Sequence, residues 1–147
     1  MTWLRVLERV HGGVGWLAAA ALVHPAILLA RPSRRARLAA WTGAVVPTLA
    51  GALGVGIYPE YRSRLKHDIF VASTAVGWAF ERKEHLGVGA VMLAWAGLGC
   101  HLASLRAGHP EARRALARGA WAAFALAATM AVATAALGVG VASFRSF

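Results

Sequence analysis

Four long apolar segments alternate with short polar ones along the chain. They cover approximately residues 11–30, 38–57, 85–105 and 115–143. A helix needs roughly 20 residues to cross the hydrocarbon core of a bilayer, and each segment reaches about that length. Because a membrane span must satisfy its own backbone hydrogen bonds, continuous apolar sequence of this length predicts a helix. The pattern therefore predicts an all-α integral membrane protein whose single domain is a four-helix transmembrane bundle.

The stretch 59–84 interrupts this pattern between the second and third spans. It opens with charged residues and continues with twelve apolar or small residues at 69–80, which are too few to cross a bilayer. We predict that this linker forms an interfacial helix, which lies on the membrane surface or dips into it. Trp78 in the linker and Trp3 near the N-terminus are aromatic residues of the kind that anchor helices among lipid headgroups.

The two halves of the chain carry matching sequence blocks in the same order. Glu8-Arg9-Val10-His11 precedes a glycine-rich stretch, and so does Glu81-Arg82-Lys83-Glu84-His85. The other matching blocks are Arg34-Arg35-Ala36 with Arg113-Arg114-Ala115, Leu53-Gly54-Val55-Gly56 with Leu137-Gly138-Val139-Gly140, and Tyr61-Arg62 with Phe144-Arg145. We infer an internal duplication, with repeat one at 1–62, the interfacial linker at 59–84 and repeat two at 80–147.

The number of spans in each repeat fixes how the two copies are related. Two spans per repeat make the copies parallel, with a pseudo-two-fold axis along the membrane normal. Spans one and three are then equivalent and are predicted to face each other across this axis. His11 and His85 occupy corresponding places at the start of these spans, so we expect them to face each other near one membrane surface.

Composition and charge agree with a membrane location. Hydrophobic residues make up 59% of the chain and charged residues 15%, against about 45–50% and about 25% in soluble domains. The net charge of +10 comes from bases clustered between the spans, which is typical of cytoplasmic loops and lipid headgroup contacts, so we expect no nucleic-acid partner. The Arg31–Arg37 loop is predicted to be cytoplasmic, in a bacterial inner membrane.

Four histidines lie in or at the start of two spans. His11 and His24 belong to span one, and His85 and His101 belong to span three. Ionisable residues within a membrane are candidates for function because burying them is costly. If the two spans face each other, His11 pairs with His85 near one surface and His24 pairs with His101 near the other. Two stacked histidine pairs suit the ligation of haem iron by neutral imidazole.

In its layout the chain resembles the di-haem four-helix cytochromes b, both the b561-like proteins and the haem-binding bundle of bc-type cytochrome b. The resemblance covers the helix count and the two histidines on each of two helices, and not an alignable motif. It implies one or two haem b groups, with Arg9 and Arg82 among the arginines that pair with propionates. One departure concerns spacing: thirteen and sixteen residues leave the two histidines of each helix about 140° and about 160° apart.

These features predict a small b-type cytochrome that carries electrons between a quinone-like carrier and a membrane or periplasmic redox subunit. Such a chain is at most a subunit of a membrane oxidoreductase, since the sequence shows neither a phosphate-binding glycine loop nor a nucleophile turn. The polar linker supplies a possible quinone site, formed by Tyr58, Tyr61, His67 and Asp68.

Three alternatives stay open at this point. The histidines are structural if the chain is a non-catalytic accessory or scaffold subunit of a larger membrane complex. A divalent-cation site is a second alternative, because Glu8 and His11 have the i, i+3 spacing of carboxylate-bridged metal bundles, with Glu81, Glu84 and His85 nearby. A chlorophyll-type pigment with one histidine ligand is the third.

Overall fold

The structure, a computed structural model, describes residues 3–30 and 34–144. The described part folds into five helices: α1 (Trp3–Leu29), α2 (Ala36–Arg64), α3 (Lys66–Ala72), α4 (Thr74–Arg106) and α5 (Pro110–Phe144). All of them except α3 are long and apolar enough to cross a membrane. The predicted all-α fold, with four helices long and apolar enough to span a membrane, is thus confirmed.

The four long helices form a closed ring of neighbours. Helix α1 packs against α2 and α5, and α4 packs against the same two helices. As a result α1 and α4 occupy opposite corners of the bundle, and α2 and α5 occupy the other two. This order is compatible with a pseudo-two-fold axis that exchanges the hairpin α1–α2 with the hairpin α4–α5. The duplication itself stays a prediction.

The centre of the bundle is built mainly from alanine. Small side chains let helix backbones approach closely, which drives helix association in lipid. The larger Phe124 and Pro25 fit because glycine faces them: a Cβ at Gly43 would lie 2.8 Å from the Pro25 ring, and one at Gly97 would lie 3.0 Å from Phe124. The core residues are Ala19, Leu22, Ala40, Ala44, Ala90, Ala94, Leu98, Phe124, Ala127, Ala128 and Ala131.

The predicted interfacial linker is divided among three helices. Helix α2 continues through Pro59 to Arg64, the short α3 follows, and α4 begins at Thr74. The break falls at Ser73, whose extended backbone ends α3 and whose hydroxyl oxygen accepts a hydrogen bond from the Val76 amide at 3.4 Å. Residues 74–80 therefore begin the third long helix and do not form a separate interfacial element with 69–72. The position of α3 at the membrane surface stays a prediction.

The helix ends differ from the predicted spans by several residues. Helix α4 starts eleven residues before the predicted third span, and α5 starts at Pro110, five residues before the predicted fourth. The predicted boundaries stopped at charged residues, whereas the helices extend through them. Of the Arg31–Arg37 loop, Arg31 lies outside the described residues, as does Arg145. The predicted anchors Trp3 and Trp78 are both exposed.

Candidate functional site

His11 lies on the inward face of α1. The buried residues Leu4, Ala18 and Pro25 are seven or fourteen residues from it, which places all four on one helical stripe. Its ring lies against Gly54 of α2, where a Cβ would come within 3.0 Å of the ring carbon Cε1. Its Nδ1 is buried and makes no hydrogen bond of standard geometry among the described residues, and the polar group that interacts with the ring is the backbone of Ala50 on α2. His11 therefore offers a ring nitrogen inside the bundle.

His85 has the opposite orientation. Its side chain is exposed, and Nδ1 donates a hydrogen bond to the backbone carbonyl of Glu81 at 2.7 Å. It lines an open groove on the outside of α4, together with Arg82, Leu86 and Met130 of α5. The structure thus turns His11 toward the bundle and His85 away from it.

The two motifs differ by one residue in the spacing between the first glutamate and the histidine. Glu8 and His11 are three residues apart, whereas Glu81 and His85 are four apart. Each added residue turns a helix by about 100°, so the second histidine does not reproduce the direction of the first. Lys83 takes an inward direction on α4 instead, because it precedes the buried His101 by eighteen residues, or about five full turns.

Lys83 is a site residue that the sequence analysis did not single out. Its Nζ lies over the Phe80 ring at 4.3 Å, and its Cδ lies 3.6 Å from the position of a Cβ at Gly138 of α5. Its charge interacts with the carboxylates of Glu84 and Glu8. A lysine within a bundle of apolar helices is expected to lie near acidic residues, as Lys83 does. The sequence contained one indication of its inward direction: Lys83 lies on the same helical face as His101.

Aromatic residues lie next to Lys83, on the side of the bundle formed by α2 and α3. The Tyr61 side chain is 4% exposed and stacks on Phe80, with ring centroids 3.7 Å apart and planes 10° apart. Its hydroxyl is buried and has no hydrogen-bond partner in the part of the chain that the structure describes. Buried Ile69 of α3 and Val141 of α5 pack in the same group, which we call the aromatic cluster. Four of the five helices meet there.

Helix α3 is tied to α4 by an ion pair. Lys66 Nζ lies 2.7 Å from Glu81 Oε1, and this hydrogen bond to the carboxylate raises the pKa of Lys66 above its ordinary value. His67 and Asp68, the other predicted quinone-site residues, are exposed on α3. The structure thus brings Tyr58 and Tyr61 together, with ring centroids 5.9 Å apart, and leaves His67 and Asp68 at the surface.

The opposite end of the bundle repeats the contrast between the histidines. His101 is 7% exposed, and its Nε2 is buried with no hydrogen-bond partner within 3–30 and 34–144. His24 is exposed on the outside of α1. Each predicted pair therefore combines one inward histidine, His11 or His101, with one exposed histidine, His85 or His24.

The directions of these four histidines limit the ways in which they could ligate haem iron. His11 and His101 each present a ring nitrogen to the interior, so these are the two histidines that a cofactor between the helices would meet. His85 and His24 do not turn inward, so a facing bis-histidine pair does not fit this arrangement. The ligation pattern stays a prediction. As for the divalent-cation alternative, no group of three or more His, Cys, Asp or Glu side chains is assembled for a metal ion among the described residues.

Comparisons with protein-family models, curated proteins and solved structures find no match.

Proposed function

We propose that this chain is a small integral membrane b-type cytochrome that carries electrons between a quinone-type carrier in the lipid and a redox partner. The observation that supports the proposal most directly is the environment of His11. Its ring lies inside the bundle against the backbone of Gly54, and its buried Nδ1 makes no hydrogen bond of standard geometry among the described residues. An imidazole with an available nitrogen is the commonest protein ligand of haem iron.

Residues at both ends of the bundle would hold the group. His11 would ligate iron at the end that contains α3, and His101 would do so at the other end. Arg9 and Arg82, both exposed near the first of these ends, are suited to pair with propionates. Bound haem would supply one-electron transfer, and the chain would supply ligands, orientation and charge.

The aromatic cluster supports the quinone part of the proposal. It lies at the same end of the bundle as His11 and contains Tyr58 and Tyr61. The carboxylates of Glu81 and Glu84 lie near Tyr61, so proton-exchanging groups stand beside a hydroxyl donor. A quinone that gains electrons must also gain protons, which such groups provide.

The visible spectrum tests this proposal. Protein purified in detergent from haem-replete cells is expected to show the reduced-minus-oxidised bands of a b-type cytochrome. His11→Ala should abolish the bands of the haem at that end. His109→Ala is the matched control, because His109 is exposed in the loop between α4 and α5. A flat spectrum from the unmodified protein would refute the proposal.

One observation favours the accessory-subunit alternative. His24 is exposed on α1, within an apolar helix. An imidazole that faces hydrocarbon is costly, so a neighbouring membrane subunit would cover it. In that case the spectrum is flat, a partner chain co-purifies in fixed ratio, and His24→Leu reduces its recovery. Equal recovery with wild-type and His24→Leu protein would remove the support for this alternative.

A further inference from the structure

The groove on the outside of α4 combines basic and apolar side chains. It has a volume of about 370 Å³ and is lined by Arg82, His85 and Leu86 of α4 and by Met130 of α5. This volume lies within the range of small-molecule sites, about 300–1,000 Å³. Met130 lies at the level of Gly89, where a Cβ would come 2.5 Å from its Cε. The lining therefore changes from basic to apolar along α4.

The face of α4 that carries this groove has the same order of polarity as a lipid leaflet. Trp78 and Met92 lie seven residues before and after His85, on the same helical stripe, and are 56% and 68% exposed. Tryptophan is typical of the headgroup level. Met92 lies about 15 Å beyond Arg82 along the helix, which is about half the thickness of a hydrocarbon core. An amphipathic molecule oriented like the surrounding lipid matches this face.

The charge of Arg82 is available to a ligand. Its guanidinium forms neither a hydrogen bond nor an ion pair within the described part of the chain. The neighbouring acids are accompanied by lysines: Glu81 lies 2.7 Å from Lys66, and the largest charge interaction of Glu84 is with Lys83. No carboxylate is among the residues that line the groove. An anionic headgroup thus finds a partner here, whereas an ammonium headgroup does not.

His85 adds a second donor for an anion. Its Nδ1 donates to the Glu81 carbonyl at 2.7 Å, which leaves Nε2 for a ligand. In the imidazolium form both ring nitrogens donate, so Nε2 can bind a phosphate oxygen. The Arg82 guanidinium can donate two further hydrogen bonds to the same phosphate.

We infer that this groove binds an anionic phospholipid. The phosphate lies at Arg82 and His85, and an acyl chain packs against Leu86 and Met130. The basic pair selects the headgroup, and the apolar wall retains the chain without selecting its type.

This site is separate from the one proposed for haem. It lies on the outer face of α4, whereas His11 lies on the inward face of α1, so the inference does not rest on the proposed function. One guanidinium cannot serve two anions at once. With Arg82 at a lipid phosphate, Arg9 is the arginine left for a haem propionate.

Native mass spectrometry of the full-length protein, titrated with dioleoyl phosphatidylglycerol in detergent, measures the affinity of the first bound lipid. Arg82→Gln should weaken binding roughly fivefold or more, and His85→Gln about twofold to fivefold. Arg62→Gln is the matched control, because Arg62 is an exposed arginine at the same end of the bundle and does not line the groove. It should change the affinity by less than about twofold.

Two comparison lipids separate the headgroup from the chains. Dioleoylglycerol lacks the phosphate, and dioleoyl phosphatidylcholine carries its own ammonium. Each should bind roughly fivefold or more weakly than phosphatidylglycerol. Phosphatidylglycerol with a photoreactive diazirine in one acyl chain should label the peptides that contain Leu86 or Met130, and inorganic phosphate should not displace it.

Four results would overturn the inference. Equal affinity for phosphatidylglycerol and dioleoylglycerol would make the groove a site for any lipid chain, and displacement by inorganic phosphate would make it a site for any anion. The others are unchanged affinity in the double variant Arg82→Gln/His85→Gln and labelling confined to α1 and α2. The visible spectrum of the same samples keeps this test separate: a flat spectrum with selective lipid binding refutes only the cytochrome, and haem bands without selective binding refute only the inference.

Discussion

Lys83 and His101 lie on the same inward face of α4, about five helical turns apart. Each end of this helix thus directs one basic residue into the bundle, and alanine-rich packing fills the space between them. On α1 only one end does so, through His11. The ionisable groups of the interior are therefore concentrated at the end that contains α3, where Glu8 and Glu84 accompany Lys83.

Replacing Lys83 should destabilise the bundle through its acidic neighbours. Lys83→Met leaves Glu8 and Glu84 without the inward cation with which their charges interact, but the Lys83 ammonium forms no ion pair within 4 Å among the described residues. A longer-range charge interaction is worth about 0.2–1 kcal/mol, so we expect a loss of that size. The measurement is reversible unfolding in mixed micelles, followed by circular dichroism. Arg82→Met, at the exposed neighbouring position, is the control and should change stability by less than about 0.5 kcal/mol.

Removing an acidic residue provides a second test of the interaction between Lys83 and its neighbours. In the double variant with Glu84→Gln, part of the loss caused by Lys83→Met should be recovered, because the uncompensated carboxylate is gone. Strictly additive losses would show that Lys83 and Glu84 do not interact.

Gly54 should be required for the position of the His11 ring. A side chain at Gly54 overlaps the imidazole, since even a Cβ would lie 3.0 Å from its Cε1. Gly54→Leu is therefore expected to displace His11 and to reduce the b-type absorbance by at least half. Gly56→Leu, two residues further along α2 in open space, should retain it. Equal spectra for the two variants would argue against His11 as a ligand.

The two histidines of the duplicated motif should respond differently to substitution. His11 faces the bundle and His85 faces outward. We therefore expect His11→Ala to abolish a haem signal and His85→Ala to retain at least half of it. Electron paramagnetic resonance should show a haem with a single histidine ligand. Loss of the same low-spin signal in both variants would instead support the bis-histidine pair predicted from the repeat.

The sequence was sufficient for the architecture and insufficient for side-chain direction. The length of the apolar segments predicted four helices, because a segment in a membrane must satisfy its own backbone hydrogen bonds and a helix does so. The spacing of thirteen residues between His11 and His24 already placed them on different sides of α1, as the structure shows. The inward turn of Lys83 was missed because charged residues beside a span were treated as surface. The break at Ser73 depends on a local cap and on the Phe70 ring packed over Gly77.

The contact between α3 and α4 should weaken only at high pH. The hydrogen bond to Glu81 raises the pKa of Lys66 above its ordinary value of 10.5. A group whose pKa is raised on folding stabilises the folded state fully below its unfolded pKa, and this contribution disappears as the pH rises through the folded pKa. The ion pair should therefore persist at neutral pH and be lost above about pH 10.5. The fluorescence of Trp78, whose ring lies 5.9 Å from that of Phe70 on α3, reports this change. Lys66→Gln should remove the transition, and a transition that persists in this variant would assign it to another group.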